Sequence, residues 1–165
     1  MARAIQLARR GRYTTHPNPV VGCVLVQGDL VVGEGWHQKA GEAHAEVNAL
    51  AAAGDDARGA RAYVTLEPCA HHGKTPPCAT ALIEAGVAEV IVALEDPHPQ
   101  VDGRGLEALA GAGVAVRSGL LRDAVTEQLR GFVHRMRRGR PFVRLKMACS
   151  IDGRIAMANG ESQWI

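Results

Sequence analysis

Apolar positions along the chain change period in a way that marks successive elements. Residues 2–11 form a basic amphipathic stretch, the pattern of a short first helix. Two apolar runs, 20–27 and 30–35, flank Gly28-Asp29, which predicts a hairpin with a two-residue turn. Residues 42–53 are rich in Ala, Leu and Glu and stop at Gly54, so a helix is expected there with His44 and Glu46 in its first turn. Residues 62–66, 77–85, 87–94, 105–112 and 114–117 then alternate as strand, helix, strand, helix, strand, with Gly86 and Gly113 as helix stops. That βαβαβ order predicts a sheet with parallel members covered by helices. Residues 120–138 keep helical spacing through Leu121, Ala124, Val125, Leu129, Phe132 and Met136. Beyond Gly139-Arg140-Pro141, residues 142–150 alternate like a strand, and Asp152-Gly153 marks a turn. We therefore expect one domain over residues 1–140, with 141–165 as the opening of a second α/β domain, cut short after its first strand.

Composition narrows the class. With 165 residues, 47% hydrophobic and 22% charged, the chain can bury a core of its own. No apolar run approaches the ~20 residues that span a bilayer, so no membrane partner is expected. The net charge is +2 and the one dense basic run, residues 135–140, reads as a solvated helix end. Aromatics make up 4%, too few for base-stacking platforms, so no nucleic-acid partner is expected either. Four cysteines without a preceding secretory signal point to a cytoplasmic, thiol-preserving setting. Cys23, inside an apolar run, and Cys149 are expected to be buried small hydrophobes.

The remaining cysteines carry chemistry. His44-Ala45-Glu46 precedes Pro68-Cys69, and eight residues later stands Cys78. One imidazole and two thiolates are the usual protein share of a catalytic zinc site, whose fourth position is left to water. An H-x-E followed by P-C and a second Cys is the pattern of zinc deaminases, in which the Glu moves protons and is not a ligand. By the predicted elements, His44 and the two cysteines gather two helix N-termini at the carboxyl ends of strands, where open α/β sheets bind ligands. A closed structural zinc site would need a fourth ligand from His37, His71 or His72. Polar residues nearby are candidate substrate handles: Asn18 on its Pro-flanked loop, His37, His71, and Lys74 and Thr75 between the cysteines, with Lys74 suited to a phosphate.

Several longer stretches resemble a known family. Residues 15–22 (THPNPVVG), 33–37, 40–46 and 67–78 (EPCAHHGKTPPC) look like the deaminase domain of the bifunctional riboflavin biosynthesis deaminase–reductase family. Residues 95–101 resemble its next loop, where Asn is commoner than His98, and Asn48 stands where a His is frequent. The long cysteine spacing separates this family from cytidine and tRNA adenosine deaminases, which typically use the short C-x-x-C form. Residues 140–148, 150–154 and 160–165 resemble the start of the family's reductase domain. The resemblance implies a three-layer α/β/α cytidine-deaminase-like fold with a mixed sheet. It also implies zinc-dependent deamination of a small phosphorylated pyrimidine, and NADPH-dependent reduction in the full-length enzyme only. Ala148 and Trp164 would then touch NADPH, Ser162 the reductase substrate, and the full-length protein would be a homo-oligomer. Two alternatives stay open: a nucleoside or RNA-base deaminase, and a non-catalytic zinc-binding module.

Overall fold

The computed structural model describes residues 1–70, 76–99 and 101–163. Strands β1 (Gly22–Gln27) and β2 (Leu30–Trp36) form the expected hairpin, with Gly28 at φ +59° as the first turn residue. That backbone region is open to glycine without penalty. β1 also pairs antiparallel with β3 (Arg61–Leu66), and β3 pairs parallel with β4 (Glu89–Leu94), which pairs parallel with β5 (Ala115–Ser118). The five strands run in the order β2-β1-β3-β4-β5, a mixed sheet as the pattern implied.

Helices cover both faces. On one side, α2 (Ala45–Ala53), α3 (Cys78–Glu84) and α4 (Arg104–Gly111) close over Cys23, Leu25, Val64, Val90 and Val92. On the other, α1 (Ala2–Ala8), α5 (Arg122–Gln128) and α6 (Arg130–Arg138) cover Val24, Ala93 and Leu94. Alternate residues of β1 serve opposite layers, as the two-residue period of a strand requires. No helix among the described residues is long and apolar enough to cross a membrane.

The seat of α2 follows from small residues. Gly33 and Gly35 of β2 face the helix, and a Cβ on either would stand 2.3 Å from a backbone oxygen, of Ala49 and Ala45 respectively. The helix answers with Ala45, Ala49 and Ala53 at four-residue spacing, all buried. Glycine against alanine lets helix and strand approach closely, which places the start of α2 at the sheet surface.

Four local expectations are corrected. His44 is not in the first turn of α2 but is its N-cap, extended at φ −74° and ψ 169°. The helix expected over 120–138 is two helices separated at Leu129, whose φ of −99° and ψ of 12° interrupt the helical run. Val125, Leu129 and Val133, at four-residue spacing, share one buried cluster. Residues 142–150 are not a strand: among the described residues nothing pairs with them, and Val143, Leu145 and Met147 are exposed. An alternating pattern supplies an apolar face, but a strand also needs a neighbour to satisfy its ladder. Cys149 is accordingly exposed rather than buried, whereas Cys23 is fully buried as expected.

Candidate active site

Three loops meet at the carboxyl end of the sheet. The chain leaving β2 delivers His44 at the head of α2, the chain leaving β3 delivers Cys69, and Cys78 opens α3. His44 Nδ1 lies 3.2 Å from Cys78 Sγ and 3.7 Å from Cys69 Sγ, and the three ligand atoms fall within 4.8 Å of one another. Bonds of ~2.3 Å to sulfur and ~2.0–2.1 Å to nitrogen imply tetrahedral edges of about 3.6–3.8 Å. The trio therefore fits zinc in both spacing and donor type. It is the one such His/Cys/Asp/Glu cluster among the described residues.

The electrostatics of the trio fit a cation as well. The hydrogen bond from Cys78 pulls Cys69 down to about 4, with His44 helping against the cost of burial. The backbone N–H groups of Cys78 and Ala79, at the start of α3, reach Cys69 Sγ (3.4 Å) and its carbonyl (3.1 Å). Cys78 is pushed well up because its thiol hydrogen-bonds to Cys69, with burial adding to the rise. His44 is raised by its hydrogen bond to Cys69. One thiolate, one thiol and an imidazole that draws charge from them form a set that a divalent cation would neutralise, with loss of the remaining proton.

Glu46, the second residue of α2, is 3% exposed. Burial pushes its carboxyl up to about 7, against the pull of its backbone hydrogen bond and of His44. A carboxyl poised near neutrality can both take and return a proton. His37 is also buried, and burial lowers its pKa. Its Nδ1 is 3.1 Å from the carbonyl of Ala43, so this nitrogen donates and Nε2 accepts from Asn18 Nδ2 at 3.1 Å. Both ring nitrogens are thus used, which removes His37 as a fourth metal ligand. Asn18, its amide nitrogen engaged, keeps its oxygen as the acceptor it can offer to a ligand.

These groups line a cleft of about 540 Å³, the size of a small-molecule site. Asn18, His37, His44, Glu46 and Cys69 stand on its walls. Sequence reasoning passed over Glu67, Asp96, Phe132 and Arg135, which also line it, and left His98 without a role although it does too. The runs Glu67-Pro68-Cys69 and Asp96-Pro97-His98 were the signals that could have found three of them. Arg135 belongs to the basic run read as a solvated helix end; it is exposed in the last turn of α6, as expected, and also stands on the cleft wall. Ala148 and Ser162 do not line this cleft: both are exposed in the terminal segment, where Ser162 Oγ donates to the carbonyl of Ile155 at 3.0 Å. His71, Lys74, Thr75 and Trp164 lie outside the described residues.

The model of the cytidine and deoxycytidylate deaminase zinc-binding region matches residues 1–94. The riboflavin biosynthesis protein RibD of Escherichia coli is 61% identical over the whole chain, which spans 45% of that protein's length. A diaminohydroxyphosphoribosylamino-pyrimidine deaminase of Buchnera aphidicola is 52% identical over 141 residues, 86% of this chain and 96% of that protein. Among solved structures, Acinetobacter baumannii RibD superposes with a TM-score of 0.94 at 56% identity, covering 99% of this chain and 46% of that one.

Proposed function

The chain belongs to the cytidine and deoxycytidylate deaminase zinc-binding family and, within it, groups with the diaminohydroxyphosphoribosylamino-pyrimidine deaminases; on that premise we propose that it deaminates 2,5-diamino-6-ribosylamino-4(3H)-pyrimidinone 5′-phosphate in riboflavin biosynthesis. The observation that carries the reaction is the His44–Cys69–Cys78 trio beside the buried Glu46 in a cleft of substrate size. The substrate rests on the relatives at 52–61% identity.

His44, Cys69 and Cys78 would hold the metal. Bound zinc would act as a Lewis acid that makes water nucleophilic near neutral pH. Glu46 would carry one proton from the attacking water to the ring nitrogen and the second, from the hydroxyl so formed on the carbon, to the departing amine. Water oxygen bonds to the carbon that carried the amino group, the C–N bond breaks, and ammonia leaves. Asn18, held by His37, accepts from a ring-edge donor and fixes the pyrimidine in the cleft. Lys74 and Thr75, in the loop between the cysteines, are assigned to the substrate's phosphate side, and His71 to the ring.

Residues 1–140 make up the deaminase domain, and 141–165 begin a reductase domain in which Ala148 and Trp164 would contact NADPH and Ser162 the reductase substrate. Full length, the enzyme would be a cytoplasmic homo-oligomer acting on a small phosphorylated pyrimidine, with neither nucleic acid nor membrane as partner. The near-neutral charge and sparse aromatics support that restriction.

Metal removal tests the reading. Protein stripped with a chelator should stop releasing ammonia from the pyrimidine phosphate and recover on addition of one equivalent of zinc. Cys78→Ser should lose zinc and turnover together. Equal ammonia release by zinc-free and zinc-loaded protein would refute the assignment.

A further inference from the structure

Glu67 is a carboxylate at 4% exposure, and among the described residues its hydrogen bonds come from backbone amides. Oε2 accepts from the N–H of Asp96 at 3.0 Å and of Gly103 at 3.1 Å, and Oε1 accepts from the N–H of Gly105 at 2.9 Å. Gly103 is the N-cap of α4 and has no side chain to cap with. Glu67, just past the end of β3, supplies that cap: the first amides of a helix are unpaired, and its side-chain oxygens accept from two of them.

The bond to Asp96 goes beyond capping. It fixes the start of the segment whose end is fixed at Gly103 and Gly105, so one carboxylate pins both ends. Asp96 Oδ1 in turn accepts the N–H of His98 at 2.8 Å. Asp96, His98 and Val101 line the cleft together with His44 and Glu46. Packing locks the same segment from below, since a Cβ on Gly105 would stand 1.9 Å from the carbonyl oxygen of Pro68. Glu67 and Pro68 directly precede Cys69.

We infer that Glu67 is a positioning residue that holds Asp96, His98 and Val101 as the substrate-facing wall of the cleft and so sets how tightly the pyrimidine binds. The inference rests on the proposed deamination of a pyrimidine in this cleft. Glu67→Gln keeps the volume but turns one acceptor oxygen into an N–H donor facing a backbone N–H, which breaks at least one of the three bonds. Gly105→Ala pushes the same segment away while leaving the carboxylate intact.

Both variants of the full chain should bind one zinc and keep kcat within about threefold, while KM rises about tenfold or more, because misplaced contacts remote from the chemistry weaken binding. Hydrogen exchange at the amides of Asp96, Gly103 and Gly105 should quicken in Glu67→Gln. Quickened exchange with an unchanged KM would make the tie merely structural and overturn the inference. Unchanged exchange would overturn it as well, as would loss of zinc in step with kcat. Wild-type turnover tests the substrate assignment separately: if the chain works on cytidine or deoxycytidylate instead, that assignment falls, and the KM comparison is made on the substrate it does use, with the same expectation.

Discussion

At the scale of single residues, the site separates groups that bind from a group that moves protons. Glu46 shares a helix with Ala45 and the cap His44, yet it stands outside the His44–Cys69–Cys78 cluster, and burial raises its carboxyl to about 7. Glu46→Gln should keep one zinc per chain and lose roughly 10²–10⁴ in kcat, the scale of general acid–base catalysis. Metal analysis beside steady-state kinetics checks this, and near-normal turnover would assign the proton to another group. His44, Glu46, Cys69 and Cys78 were legible in the sequence because short fixed spacings suffice to describe them. Asn18 and His37 were legible as handles, but their mutual bond was not, being a side-chain contact between residues 19 apart. Glu67 was visible in the run Glu67-Pro68-Cys69, but its role was not. Its partners are backbone amides 29, 36 and 38 residues away, and amides carry no residue-type signal.

At the scale of elements, the catalytic helix sits where it does because β2 has glycines under it. Gly35→Ala would set a Cβ 2.3 Å from the carbonyl oxygen of Ala45, backbone that cannot rotate away. The expected result is a loss of roughly 1–3 kcal/mol of stability, the range of overpacked cores. Turnover should fall as well, because α2 carries His44 and Glu46. Thermal unfolding with kinetics below the transition checks both; a variant with wild-type melting temperature and turnover would show that the interface can yield. The hairpin and the βαβαβ order were readable because turn chemistry and period are local. The break at Leu129 was not, since the four-residue spacing of Val125, Leu129 and Val133 runs through it unchanged. Nor was the placement of His44 as a cap, since the helix begins three residues later than its composition suggested, at Ala45.

At the scale of the whole molecule, residues 1–140 contain the five strands, the six helices and the cleft's described lining. Residues 141–163 add exposed apolar groups and touch the rest lightly, as where Phe142 meets the rings of His134 at 5.7 Å and the guanidinium of Arg130 at 5.3 Å. A chain of residues 1–140 should therefore fold, bind one zinc and turn over with unchanged KM and kcat, by calorimetry and kinetics; unfolding or loss of zinc would place the domain boundary elsewhere. The alternating residues 142–150 show why a sequence pattern stops short of structure, because alternation names the face a strand would present but not the neighbour it would pair with. The central claim concerns chemistry and substrate together, and one competition tests it most directly. Zinc-loaded protein is given the diaminopyrimidine ribosyl phosphate, its dephosphorylated form, cytidine and deoxycytidylate, and ammonia release is followed for each. The account predicts release from the diaminopyrimidine phosphate with the highest kcat/KM of the four. A chain with one bound zinc that spares this compound, or that prefers cytidine or deoxycytidylate, would contradict it.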